Sequence, residues 1–188
     1  MKKTNVKQMV GIAILSAIVV VLQLLGSFIK FGPVSISLVL IPIVVGAAVF
    51  GPTAGAILGG VFSIVVLAQP DTAWFFGLSF FGTVITVLVK GILAGWLAGL
   101  AYKLFAKKNV WLGVIISAVV CPIVNTGIFA IGCRLFFWNG LAELGGGNAL
   151  LFLFTGMIGF NFIAEFVTNL ICSPVIVRVL HAAKVNKS

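Results

Sequence analysis

The stretch SISLVLIPIVVGAAVFGPTAGAILGGVFSIVVL, residues 35–67, decides the fold. It holds two apolar segments separated only by Phe50-Gly51-Pro52-Thr53, and no residue in it is charged. So short a break makes the two segments an antiparallel helical hairpin. Gly46, Gly51, Gly55, Gly59 and Gly60 let the backbones come close, and Gly51, Gly55 and Gly59 at i, i+4 and i+8 form one small-residue stripe. An uncharged hairpin of this kind belongs in lipid.

The whole chain agrees. Of 188 residues, 62% are hydrophobic and only 8% charged, with a mean hydropathy of +1.30. A soluble domain keeps roughly a quarter of its residues charged. Several uncharged runs approach the ~20 residues a helix needs to cross about 30 Å of hydrocarbon, whereas a barrel would alternate in ~10-residue segments. The first run, residues 9–29, has no small-residue cleavage site and is expected to stay as a helix. The net charge of +9 does not point to nucleic acid, because nine of the twelve basic residues fall in three flanks. Those flanks are Lys2, Lys3 and Lys7; Lys103, Lys107 and Lys108; and Arg178, Lys184 and Lys187. Positive charge gathers on the cytoplasmic side, which predicts that all three flanks and both termini are cytoplasmic. Cys121, Cys133 and Cys172 lie in or beside apolar runs without CxxC spacing and read as small hydrophobes, not metal ligands.

Six predicted segments satisfy these flanks: residues 9–29, 35–50, 52–68, 82–105, 110–137 and 149–180. The expectation is an all-α membrane protein of six transmembrane helices, a single domain over residues 1–188. The fourth segment, with GILAGWLAGLAY, carries a further Gly/Ala packing face. Pro122 is expected to kink the fifth segment, and Pro174 marks an expected break in the sixth. Gly145-Gly146-Gly147 predicts a flexible outer loop. The aromatics Trp74, Phe75, Phe76, Phe80 and Phe81 read either as interfacial anchors or as a lid over a pocket.

Polar groups at membrane depth cost a few kcal/mol each and are therefore informative. Lys90 lies inside the fourth segment and Asn125 just past Pro122; Arg134 is near the outer end of the fifth. Asn161, Glu165, Thr168 and Asn169 share one stripe of the sixth. One reading is structural: a Lys90–Glu165 ion pair and asparagines bridging helices. The other is a polar pocket built by the last three segments and opening outward. Lys30, Lys90 and Arg134 outnumber the outer carboxylates and favour an anionic or neutral polar ligand. Trp74 and Trp138, from the outer connections, join Lys90, Asn125, Arg134, Asn161 and Glu165 as candidate binding residues. Catalysis is not expected: the one histidine, His181, sits in the basic tail, and no Walker motif, GxSx-plus-His or aspartate pair is present. No cofactor or metal is implied.

In order along nearly the whole chain, the Ala13–Ala17 AxxxA step, SISLVLIPIVVGAAVFGPTAGAILGG (residues 35–60), the helix from Lys90-Gly91 to Tyr102, and Asn125-Thr126-Gly127 carry a resemblance. The chain resembles the substrate-binding (S) components of energy-coupling factor (ECF) vitamin transporters. That resemblance implies high-affinity vitamin capture near the outer face of a bacterial cytoplasmic membrane. It implies as partners a transmembrane coupling protein and two cytoplasmic ATPases, with Ala13 and Ala17 facing the coupling protein. It also implies a gate at residues 30–35. Among subfamilies the chain is most similar to the pantothenate type, with riboflavin and folate as alternatives. A stand-alone secondary carrier and a non-transporting assembly protein are the competing classes.

Overall fold

The computed structural model describes residues 6–26, 30–31, 34–35 and 38–185, with backbone alone in the two short strands and at residues 156–157, 160–161 and 181–185. In order, α1 (Val6–Gly26) is followed by a small antiparallel ladder of β1 (Lys30–Phe31) and β2 (Val34–Ser35), pairing Lys30 with Ser35 and Phe31 with Val34. Then come α2 (Leu40–Phe50), α3 (Pro52–Leu67), a 3₁₀ turn (Pro70–Thr72), α4 (Ala73–Leu78) and α5 (Phe80–Phe105). The chain continues as α6 (Val110–Phe136), α7 (Trp138–Leu144), α8 (Ala149–Phe152), a π-helical segment (Leu153–Ile158) and α9 (Gly159–Val185).

Local chemistry sets these boundaries. Gly51, at φ 96°, makes the turn that a side chain would strain, and Pro52 starts α3 where its missing N–H costs nothing. The Ser79 side chain accepts from Gly82 N at 3.1 Å to cap α5, and Asn109 accepts from Trp111 N at 2.8 Å to cap α6.

Among the described residues, four helices are long and apolar enough to cross a membrane: Val6–Gly26, Phe80–Phe105, Val110–Phe136 and Phe162–Leu180. The pair Pro52–Leu67 and Pro70–Leu78, bent by 76°, makes a fifth if taken as one span. The second predicted segment differs from expectation. It becomes helical only at Leu40, and its 11 residues cover about 16 Å, roughly half the hydrocarbon thickness. What α2 lacks in length it makes up in enclosure. Leu40, Ile43, Val44 and Ala47 are fully buried, and α2 packs against α1, α3, α5, α6 and α9. The main apolar core forms around it from Val19, Leu58, Phe62, Ala94, Ala98, Val114, Ile176 and Val177.

The small-residue stripe on α3 meets the α2–α3 hairpin only at Gly55, where a Cβ would also crowd Ala47 of α2. It faces α5. A Cβ on Gly55 would collide with the Gly95 carbonyl, and one on Gly59 with the Gly91 carbonyl. In return, a Cβ on Gly91 would meet Ser63 and Gly59, one on Gly95 would meet Gly55, and one on Gly99 would meet Pro52. Two glycine rows spaced four apart thus bring α3 and α5 into backbone contact, the arrangement that lets membrane helices gain dispersion energy. Ser63 Oγ joins the seam, its one proton placed between two carbonyl acceptors, Val87 O across the seam at 2.7 Å and Gly59 O along α3 at 2.9 Å.

The last segment also differs. α9 runs unbroken through Pro174, and the irregularity comes earlier, in the π-helical Leu153–Ile158. Leu153 and Ile158 there pack with Cys133, Phe137, Leu141 and Ala149 in a second apolar cluster. Two neighbouring glycines separate the α3–α5 seam from helix propensity. Gly59→Ala should lower the thermal unfolding midpoint in detergent by about 5 °C or more through overpacking. Gly60→Ala should leave it unchanged or slightly raised, because a Cβ there meets Ile92 at an ordinary 3.7 Å.

Candidate functional site

A cavity of about 160 Å³, partly open to the surface, lies at the end of the bundle where α1 and α3 finish. From α5, Thr83, Thr86, Val87 and Lys90 reach it at i, i+3, i+4 and i+7, one helical face. Asn125 and Phe129 reach it from α6, Phe137 from just past that helix, and Glu165 from α9. Expectation built the pocket from these last three long helices and the outer connections, but its wall also includes Gln23 of α1 and Phe62 and Val66 of α3. Gln69, Asp71, Thr72 and Phe75, after the bend, close it.

The α3–α5 seam fixes the position of Lys90. Gly91 is pressed against Gly59, so the side chain one residue earlier is directed to the rim of that contact. Lys90 Nζ stands 5.7 Å from the centroid of the Phe62 ring and 5.1 Å from that of Phe129. Two aromatic faces at these distances attract a cation in a site poor in water. Glu165, 2% exposed, lies near enough to act electrostatically on Lys90. Phe129 in turn packs edge-on to Phe75 at 5.7 Å, and Phe75 to Phe137 at 5.1 Å, so an aromatic wall links α4 to α6.

Most polar groups at the mouth are committed to the protein. Gln23 Nε2 donates to Gln69 Oε1 at 3.0 Å, and Gln69 Nε2 donates back to Gln23 O at 3.2 Å. This reciprocal pair ties α1 to the end of α3. Thr72 donates to Val66 O at 2.6 Å and Thr83 to Ser79 O at 2.7 Å. Two buried oxygens on the wall have no hydrogen-bond partner among the described residues, Thr86 Oγ1 and Asn125 Oδ1. Leaving a buried polar atom unmet costs about 1–3 kcal/mol, which a ligand or water would recover. Asn125 sits one turn past Pro122, whose missing N–H frees a carbonyl one turn before the proline.

The structure therefore brings together three of the seven expected binding residues, Lys90, Asn125 and Glu165. It places three others elsewhere. Arg134 is exposed with its guanidinium 4.5 Å from the Trp138 ring centroid, and neither residue lines the cavity. Trp74 lies one layer out, edge-on to Phe75 at 4.9 Å. The side chains of Asn161 and Lys30 lie outside the described residues, as do those of the expected gate at residues 30–35. With Arg134 turned away, Lys90 is the cation that the cavity wall presents among the described residues, opposite the carboxylates of Asp71 and Glu165. Asn169, on the expected stripe, spends its amide on Glu165 O at 3.1 Å within α9. Sequence reasoning missed Gln23, Phe62, Thr86 and Phe129. Helical spacing held a signal for two of them, since Thr86 shares a face with Lys90 and Phe129 with Asn125.

Fold and site together define a multi-pass helical membrane protein with a polar cavity at one end. A sequence model of the family described as "ECF transporter, substrate-specific component" matches residues 7–177, and the chain belongs to that family. No curated protein and no solved structure matches it. The protein is thus a substrate-binding transport subunit and not a member of an enzyme family. Such components bind small molecules and associate with ECF coupling and ATPase modules. If the cavity is the binding site, Phe129→Ala should weaken substrate binding by about tenfold, as loss of a buried aromatic anchor does. Arg134→Ala should change it by no more than about threefold, measured by calorimetry on the purified protein.

Proposed function

We propose that the protein captures a polar or anionic vitamin, pantothenate foremost, in the cavity around Lys90, and hands it to a coupling protein driven by two ATPases. The single observation that carries this reading is that Lys90, Asn125 and Glu165, from three different helices, share one cavity wall inside an otherwise apolar bundle. A stabilising ion pair alone would need no cavity beside it.

The three basic flanks support six crossings with both termini in the cytoplasm of a bacterial cell. In that orientation the cavity, at the end opposite Lys103, Lys107 and Lys108, opens to the outside. The sixth crossing would be the short α2 with the residues before it, sheltered by its neighbours. Ala13 and Ala17 support a partner role for α1. Both are exposed on a helix that buries only Val19, Gln23 and Gly26, so a small-residue step is left uncovered for another helix.

Two experiments separate capture from delivery. Lys90→Ala should abolish binding of radiolabelled pantothenate to the purified protein, and unchanged binding would remove the role of the cation. Ala13→Trp with Ala17→Trp should leave binding intact while stopping ATP-driven uptake in vesicles that hold the coupling protein and ATPases. Loss of both would assign the step to folding instead.

A further inference from the structure

We infer that the turn between α5 and α6 holds the headgroup of an anionic phospholipid, at the end of the bundle away from the cavity. The inference does not depend on what the cavity captures.

The first ground is a charge imbalance that the chain cannot correct from within. Lys103, Lys107 and Lys108 fall within six residues, and all three are exposed. Lys103 and Lys107 lie one helical turn apart, where like charges repel. The chain has three side-chain carboxylates against twelve basic residues. Asp71 and Glu165 line the cavity, and Glu143 lies in α7, beyond the far end of α6. Glu165 shares the cavity wall with Lys90, from which α5 runs about 20 Å further before it reaches Lys103. That is more than two screening lengths in physiological salt. A fixed counter-charge for these lysines has to come from another molecule.

The second ground is what surrounds them. Leu104, Phe105, Trp111 and Leu112 are interspersed with the lysines along the chain, and all four are exposed. A turn immersed in water gains nothing from four large apolar side chains. At a bilayer boundary, aromatic rings sit at headgroup level and lysine stems reach past them from the hydrocarbon. The same apolar side chains offer a surface to acyl chains below a bound headgroup, which a soluble phosphate ester would leave unused.

The third ground is rigidity. Ala106 N donates to Tyr102 O at 2.8 Å, Lys108 N donates to Phe105 O at 3.1 Å, and Asn109 caps α6. A Cβ on Gly113 would collide with Ala106, so the two helix ends meet closely. The ammonium groups are therefore carried on a fixed base and not on a loose loop, which lowers the entropy lost when they gather on one phosphodiester.

The test is native mass spectrometry of the full chain, released from micelles that hold phosphatidylglycerol and phosphatidylcholine in equal amounts. The unaltered protein should retain phosphatidylglycerol over phosphatidylcholine by about tenfold or more, and high salt should shrink that preference. Lys103→Gln, Lys107→Gln and Lys108→Gln together should remove it. Lys2→Gln, Lys184→Gln and Lys187→Gln, which take the same charge from the terminal stretches, should leave most of it. Each single substitution at the turn should take away part of the preference, so the assignment is decided even where the triple variant does not fold. Glycerol 3-phosphate in large excess should not displace the lipid. Equal retention of the two lipids by the unaltered protein overturns the inference, as does equal loss in the two triple variants, which makes net charge the cause. Displacement by glycerol 3-phosphate would assign the lysines to a soluble phosphate ester, and unchanged retention in the turn variants would leave them to a protein partner; either result also overturns it.

Discussion

The close approach of α3 and α5 is the constraint on which the remaining structure depends. In lipid there is little hydrophobic gain in bringing two apolar helices together, so contact must come from packing and from hydrogen bonds across the seam. Glycine at 55 and 59 on one helix and at 91, 95 and 99 on the other removes every Cβ that would hold the backbones apart. Ser63 adds a buried hydrogen bond to Val87 O at the same level. Once that seam is closed, the direction of Lys90 is set, because its neighbour Gly91 has no freedom to rotate away. α2 then fills the groove beside the seam and gathers the apolar core.

A rigid seam next to a cavity explains how costly groups persist at membrane depth. Lys90 is not dispersed in lipid; it stands between two aromatic rings with a carboxylate nearby. Asn125 stands one turn past a proline carried inside the continuous α6. Each of these groups is held from a different helix, so the cavity exists only in the assembled bundle. The wall also enlists α1 through Gln23, one of only three residues that this long helix buries. The cavity wall and the seating of α1 thus share one polar contact.

Much of this was legible in the sequence. Composition and the charge flanks gave the membrane class, and depth within apolar runs singled out Lys90, Asn125 and Glu165. What sequence could not settle was partnership across space. The glycine stripe was visible, but nothing in residues 35–67 says that its main counterpart lies at 91–99, with the adjacent helix meeting it at Gly55 alone. Arg134 looked like a second ligand cation because it shares a segment with Asn125. Nine residues of helix rotate it to a different face, where Trp138 holds it. Gln23 and Phe62 were hidden because neither is unusual in its own helix; they matter only through what the fold sets opposite them. The shortness of α2 was masked by an apolar run that continues upstream of Leu40.

The π-helical segment before α9 has a separate consequence. A π turn accommodates one residue more than an α turn, so residues on either side of Leu153–Ile158 are out of phase by about 100° of rotation. That offset lets Leu153 and Ile158 serve one apolar cluster while Glu165, further along the same rod, points to a polar interior. Excising a single residue there would restore a regular helix and swing one half of it relative to the other like a mis-set gear. The irregularity acts as a phase adjuster, and a change of length at this point would re-aim everything that follows it.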